Sequence, residues 1–572
     1  MQHHYSDVAN LWLALRLPRP QPKASKPSSL WDPMPAEGQA DPTLQPAPRL
    51  SAAQRALVFG LLVLHVVLAW LTRAVAIGTG NDDATYVLLA RSVRHFEYVD
   101  RHLVNMPVHA QYPPGYPAIL ALFGGQLGPS INQALAVGII LSLVGLWLAF
   151  DIARRVMPLG FAVGMLALLA VNPRLLEYAG QVRSEIPYTT LTLFTLWLLL
   201  TQSNRARAFG WCIVGALLAA LTRSIGVTLV GALCLLWLFE RRFARAGVLA
   251  GVSAITVGAW IVWNFLAPDQ FSSRSYGALA ASTAQRDIGN PASLLMHRML
   301  TFVKDYIGGS IQATLGVPTI PGMVVDNLLW VVVVFGLVAI GLVVASRRAL
   351  PLAAYVSTYF AFLALWPHKL SRFLLPMIPF VLLLMTWGAA VLVQRWQRRR
   401  LPAVFALLGA FIVVGCLQQY LPNLKESLAC PRENSLESPA CFSEAQRSFF
   451  ALARYVRENT PASAKFLTTK EATFAFYTGR QVMHPDLAIL KFGADLLPSV
   501  SARGIEYIVL SPIIGTRLPI GLLPVCRRLE TVKSFPGATS LLRIRQELGP
   551  GDGTCDAVAK LRESFPAREI PE

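Results

Sequence analysis

Between Ala56 and Tyr420 the chain alternates long apolar runs with short polar breaks, whereas residues 1–50 and 425–572 mix polar and apolar positions as a water-soluble segment does. A helix needs about 20 apolar residues to cross the hydrocarbon core of a bilayer. Eleven runs are candidates, near 56–77, 131–151, 158–172, 187–202, 208–222, 225–240, 246–266, 327–346, 351–366, 372–393 and 401–421. Several are short. The two that meet at Leu221-Thr222-Arg223-Ser224-Ile225-Gly226 read equally as one broken, re-entrant element. The pattern predicts an α-helical polytopic membrane protein with about eleven transmembrane helices.

Charge in the breaks orients the chain. Alternate breaks carry Arg154/Arg155, Arg205/Arg207, Arg241/Arg242/Arg245, Arg347/Arg348, and Arg395 with Arg398 to Arg400, thirteen basic residues in all. They share one side of the membrane if all eleven helices cross, and the positive-inside bias makes that side cytoplasmic. The N-terminus is then cytoplasmic. The long loops at about 78–130 and 267–326 and the tail after Tyr420 lie outside, so function faces outward.

The tail, 425–572, reads as a small α/β domain facing the periplasm. Ser443–Asn459 has helical spacing (Phe449, Leu452, Tyr455, Val456) ended by Thr460-Pro461. Lys465–Thr469, Glu506–Leu510 and Ser540–Ile544 have strand character. Glu471–Tyr477 predicts a short helix stopped by Gly479. Residues 1–50 hold nine prolines and little apolar periodicity, which predicts a disordered tail. No basic segment leads into an apolar core near Met1, so no secretory signal is expected.

Composition agrees with a membrane assignment. Only 15% of residues are charged and 54% are hydrophobic, against about 25% charged in an ordinary soluble protein. The net charge of +19 suggests a nucleic-acid partner only until its positions are read, because the arginines cluster between apolar runs and no zinc-type Cys/His spacing accompanies them. Cys212, Cys234 and Cys416 lie within predicted spans and read as packing residues. Cys430, Cys441, Cys526 and Cys555 lie in the outer tail, where an oxidising compartment favours two disulfides. Three connectivities are open, and proximity favours 430–441 with 526–555.

The first outer loop holds the most informative chemistry. It runs from Gly80-Asn81-Asp82-Asp83-Ala84-Thr85-Tyr86 through an amphipathic segment to Gln111-Tyr112-Pro113-Pro114-Gly115-Tyr116-Pro117. Two adjacent carboxylates at a membrane boundary are costly unless used, and a partly dehydrated carboxylate suits a general base. The plainer role is capping of the helix that starts near Ala84. Arg183, Arg223, Lys369 and Arg372 are outer-face cations able to grip a phosphate, against snorkelling for Lys369 and Arg372 and a structural partner such as Glu185 for Arg223. Glu185 is either a second site carboxylate or the ion-pair partner of Arg183 or Arg174. His95, His102 and His109 fit no ligand template and read as surface or loop histidines. Trp366 and Tyr420 read as aromatic-belt residues and Pro113-Pro114-Gly115 as a structural turn.

The order "first helix, Asp82-Asp83, amphipathic helix, Tyr112-Pro113-Pro114-Gly115-Tyr116-Pro117, second helix" resembles the GT-C superfamily of membrane glycosyltransferases, in particular its protein O-mannosyltransferase-like and aminoarabinose-transferase-like branch, which includes bacterial lipopolysaccharide-sugar transferases. Arg183-Ser184-Glu185-Ile186-Pro187-Tyr188, Leu221 to Gly226, Arg372-Phe373-Leu374-Leu375-Pro376, Arg457 to Pro461 and Tyr477 to Arg480 extend the resemblance over about 50–545. It implies a catalytic membrane domain at 51–424 and a donor sugar on a polyprenyl phosphate. The acceptor it implies is a glycan, lipid or protein outside a bacterial inner membrane. The implied base is Asp82, with Asp83 as fallback, and transfer inverts the anomeric carbon. Some members use a divalent cation and others do not. Where aminoarabinose-transferase-like proteins carry Lys before the Pro-Pro, this chain has Tyr112, which removes one phosphate contact and leaves Tyr112 to pack against the sugar or to anchor at the interface. The rival class is a flippase of lipid-linked sugars, which needs polar residues deep in several helices; few are present.

Overall fold

The computed structural model describes residues 47–80, 82–123, 130–202, 206–266, 291–317, 324–366, 369–396, 401–485, 488–489, 495–516, 518–545, 547 and 553–563. Most of the Pro-rich tail, the loop segments 267–290 and 318–323, and the basic positions Arg205 and Arg398 to Arg400 lie outside the described residues.

Each of the eleven apolar runs is helical. In chain order the helices used below are α1 (Ala52–Leu71), α2 (Asp83–Arg94), α3 (Gly115–Ala121), α4 (Ile131–Val156), α5 (Leu159–Ala170), α6 (Pro173–Ala179), α7 (Glu185–Gln202), α8 (Ala206–Thr222), α9 (Val227–Phe239), α10 (Phe243–Asn264), α11 (Val324–Arg348), α12 (Leu350–Leu365), α13 (Ile378–Trp396), α14 (Leu401–Ala429), α15 (Glu444–Asn459) and α16 (Glu471–Thr478). Six helices among the described residues are long and apolar enough to span a bilayer by themselves: α1, α4, α10, the Trp330–Arg348 part of α11, α13 with the 3-10 turn before it, and α14. Arg207–Thr222, Ser224–Phe239 and Leu350–Leu365 are shorter apolar helices, and α5 with α6 forms a bent pair. Asn172-Pro173 bends the chain by 56° between α5 and α6, with the Asn172 side chain accepting from the amides of Arg174 and Leu175. Arg223, in extended conformation, breaks α8 from the 3-10 turn Ser224–Gly226 and α9.

Burial sorts the bundle. Residues 378–391 of α13 are all buried, which makes it the central helix, while the apolar windows of α1 and α14 are only 17% buried and face outward, as lipid-exposed helices do. Helix starts follow one local rule: Ser51/Gln54, Ser130/Gln133 and Ser443/Gln446 form capping boxes at α1, α4 and α15.

The tail builds a five-stranded sheet, order β2-β1-β3-β5-β4, from β1 (Lys465–Leu467), β2 (Gln481–Met483), β3 (Ile505–Leu510), β4 (Leu529–Phe535) and β5 (Thr539–Ile544). β1 pairs in parallel with β2 and β3, and β5 runs antiparallel to β3 and β4. The predicted strands and both predicted helices are present. β2, with three residues, and β4, a half-exposed edge strand, gave no period-two signal long enough to read. Disulfides join Cys430 to Cys441 and Cys526 to Cys555, while Cys212 and Cys416 are buried free thiols.

This sheet domain is clasped to the first loop. Leu103 bridges Val482 of β2, and Tyr477 Oη and Lys470 Nζ donate to the carbonyls of Ile77 and Gly78 at 3.0 and 3.2 Å. Gly78 sits at φ +92°, and a Cβ there would run into the Thr473 side chain. Gly78→Ala should therefore combine backbone strain with overpacking, costing about 2–4 kcal/mol; thermal unfolding of the purified protein checks this.

Candidate active site

The turn after α1 fixes two neighbouring carboxylates in opposite roles. Asp83, 4% exposed, reaches back to accept from the amides of Gly78 at 2.7 Å and Gly80 at 3.4 Å. Burial raises its proton affinity, against the pull of the Gly78 amide and of Arg183. Asp82 makes no side-chain cap to α2. Its Oδ1 accepts from Tyr112 Oη at 2.8 Å and its Oδ2 from Arg372 Nη1 at 2.9 Å. A carboxylate has about four acceptor positions, so lone pairs remain for a substrate proton. Of the two, only Asp82 lines the adjoining cavity.

Tyr112 reaches Asp82 because Gly115, after the Pro-Pro turn, lets α3 approach the end of α8: a Cβ at Gly115 would lie 2.6 Å from the Leu221 carbonyl oxygen. This contact brings the Tyr112-Pro113 strap to the helix break at Arg223. Arg223 donates to Ser184 Oγ at 2.9 Å and its Nη1 lies 2.7 Å from Oε1 of Glu185, which is 1% exposed at the start of α7. Burying that carboxylate without a cation would be prohibitive. Glu185 therefore pairs with Arg223, the structural alternative offered for that arginine, and not with Arg183 or Arg174; Arg174 pairs with Glu177.

Asp82, Tyr112, Ser184, Arg223 and Arg372 share the walls of one cavity of about 130 Å³ with the rings of Tyr86, Phe362, Trp366 and Phe373. Arg372 also borders a second cavity of about 320 Å³, with Arg174, Tyr178 and Asp305. Lys369 and Arg183 are not among the residues lining either cavity. Lys369 donates to the carbonyls of Leu363, Ala364 and Trp366 at 2.6–3.0 Å, closing the C-terminal end of α12; burial and the nearby Arg298 lower its pKa to about 8. Arg183 donates to Gln181 and lies over the Tyr178 ring.

Three further readings change. Trp366, read as a belt aromatic, is a cavity wall. Tyr420 is buried and donates across to the Leu68 carbonyl of α1. His102 and His109, read as surface or loop histidines, are buried in the loop interior, while His95 is exposed. The aromatic wall from α12 had no chemical signature in the sequence, because an aromatic in an apolar run looks the same whether it faces lipid or a cavity.

Among the described residues no group of three or more His, Cys, Asp or Glu side chains converges as a metal site. Asp82 and Glu185 each face an arginine, and one oxygen of Asp83 faces backbone amides.

Two guanidinium groups and an anchored carboxylate between aromatic rings make a site suited to a phosphate-bearing ligand with a polar ring. No protein-family model and no curated protein sequence matches the chain. Solved structures do. ArnT from Cupriavidus metallidurans in the apo state matches at TM-score 0.55 and 16% identity, over 87% of this chain and 100% of that one. The same protein bound to undecaprenyl phosphate matches at 0.53, again at 16% identity and with the same coverage. The Archaeoglobus fulgidus oligosaccharyltransferase AglB, in complex with an inhibitory peptide and a dolichol-phosphate, gives 0.49 at 12% identity, over 80% of this chain and 70% of that one. The likeness to ArnT is one of fold: a polytopic helical bundle carrying a small α/β domain.

Proposed function

We propose that the chain is a membrane glycosyltransferase that moves a sugar from a polyprenyl-phosphate donor to a hydroxyl-bearing glycan, lipid or protein on the periplasmic face of a bacterial inner membrane. The observation that carries this reading is the cavity in which Asp82 stands beside Arg372, with Arg223 and an aromatic wall. The undecaprenyl phosphate bound by ArnT, which shares the fold, supports the lipid-phosphate class. The arginine clusters at alternate helix ends support a cytoplasmic N-terminus. Two disulfides in the tail support an oxidising compartment for that domain.

In this reading the donor phosphodiester draws Arg372 from Asp82 and lies against Arg223. Asp82 takes the proton from the acceptor hydroxyl. The acceptor oxygen attacks the anomeric carbon opposite the phosphate, the bond from that carbon to the phosphate oxygen breaks, and the configuration inverts. The lipid phosphate leaves as an anion. Its second pKa is about 6, so it needs cations and no proton donor.

The test is reconstitution in vesicles with radiolabelled polyprenyl-phosphate sugars and a membrane extract as acceptor source. A labelled glycosylated product with release of polyprenyl phosphate is expected; label crossing the bilayer without product would instead indicate a flippase. Two variants separate the cations. Arg372→Met should weaken donor use roughly 10- to 100-fold through loss of a charge-assisted contact. Lys369→Met should lower thermal stability by about 1–2 kcal/mol and leave the donor KM within about twofold, since its partners are backbone carbonyls of α12.

A further inference from the structure

Asp100 and His109 form a buried pair in the first loop, with side chains only 2% and 1% exposed. Neither lines the cavities at the site. His109 Nδ1 lies 2.9 Å from both Asp100 oxygens, and its Nε2 accepts from the Tyr112 backbone amide at 2.8 Å. An Nε2 that accepts carries a lone pair, so the ring is neutral and its proton is on Nδ1, donated to Asp100.

The rest of the loop serves the same end. Val99 bridges Val108, the Asp100 amide donates to the Pro107 carbonyl at 2.7 Å, and the His109 amide donates to Tyr98 at 2.9 Å. Tyr98 Oη donates to the Tyr112 carbonyl at 2.7 Å. The His109 ring stacks on that of Tyr112 with centroids 5.6 Å apart, and Tyr86 flanks Tyr112 at 4.8 Å. From α10, Trp263 donates to the His109 carbonyl and Asn264 to that of Ala110. Tyr112 is thus held by its amide, its carbonyl and its ring, and the one polar group left to project is the hydroxyl that meets Asp82.

We propose that His109, fixed as the Nδ1-protonated neutral imidazole by Asp100, is the positioning residue that holds the Tyr112 hydroxyl on Asp82. The inference rests on the reading of Asp82 as the base. Misplacement by about 1 Å costs up to about 10²-fold in rate, and a buried Asp–His pair is a rigid means of preventing it. His109 acts through Tyr112 and touches no substrate.

The two histidine nitrogens can be tested separately. In His109→Asn the amide nitrogen replaces Nδ1 towards Asp100 and the acceptor for Tyr112 is gone. In His109→Gln the amide oxygen replaces Nε2 and keeps it. The expected result is a kcat about 10- to 100-fold lower for His109→Asn, with donor KM within about twofold, and recovery of most of that loss in His109→Gln. Placed in a Tyr112→Phe background, His109→Asn should add no further loss. Equal losses in both backgrounds, or a folded His109→Gln as impaired as His109→Asn, would overturn the proposal. Should His109→Asn fail to fold, Asp100→Asn, which frees the ring to take its other tautomer, is read by the same cycle. Failure of the underlying reading is distinguishable: Asp82→Asn would then either retain full transfer in the same assay or lose it without rescue by azide.

Discussion

Asp82→Asn is expected to reduce transfer by about 10²- to 10⁴-fold, the range for loss of a general base, while the protein remains inserted and folded. The fold does not depend on this carboxylate. Asp82 does not cap α2, and the turn after α1 is held by its neighbour Asp83 through the Gly78 and Gly80 amides. An amide in place of Asp82 still offers one oxygen, to Tyr112 or to Arg372 but not to both, and it has no useful affinity for a proton. Asp83→Asn should behave differently. Its loss falls on thermal stability, because the weakened bond closes a buried turn. Activity per folded molecule should be much less affected. Rates and unfolding temperatures measured on both variants separate the two roles. Full activity in both would remove Asp82 from the chemistry.

The second large effect is expected at Glu185. Removing one partner of a buried ion pair leaves an uncompensated charge and costs about 3–5 kcal/mol. Arg223 faces the cavity, with 14% of its side chain exposed, so Glu185→Gln should fall near the lower end, about 3 kcal/mol. Water entering the cavity solvates part of the guanidinium, which keeps its bond to Ser184. Glu185→Gln combined with Arg223→Met should recover much of the lost stability, because both charges are then gone from the helix break. It should not recover donor binding if Arg223 grips the phosphate. Thermal unfolding in detergent and donor binding on the two single variants and the pair check both statements.

Much of this architecture was legible because membrane helices write themselves as apolar length. All eleven apolar windows became helices, and the charged residues at their ends supplied Asp82, Arg223 and Arg372. Arg223 stood out because a charge within an apolar stretch demands a partner, and Glu185 is the one it found. Two kinds of information were not in the pattern. The first is which way an aromatic faces: Trp366 and Phe362 belong to an apolar helix end whether they meet lipid or a cavity. The second is burial within a loop. His102, His109 and Asp100 sit in a loop that mixes polar and apolar residues without periodicity, so only the folded strap shows that they are enclosed. Lys369 illustrates the converse, a conspicuous cation whose reach is spent on three carbonyls at the end of the preceding helix.

The central claim is that Asp82 removes the acceptor's proton, and a nucleophile that carries no proton tests it most directly. Azide attacks an anomeric carbon as an anion and expels the lipid phosphate without a base. With the polyprenyl-phosphate sugar that supports transfer, Asp82→Asn in the presence of azide should form a glycosyl azide of inverted configuration, at a rate approaching that of the unmodified enzyme with azide. A variant that azide does not rescue, although it still binds the donor, would mean that Asp82 serves to hold Arg372 and Tyr112 and is not the base.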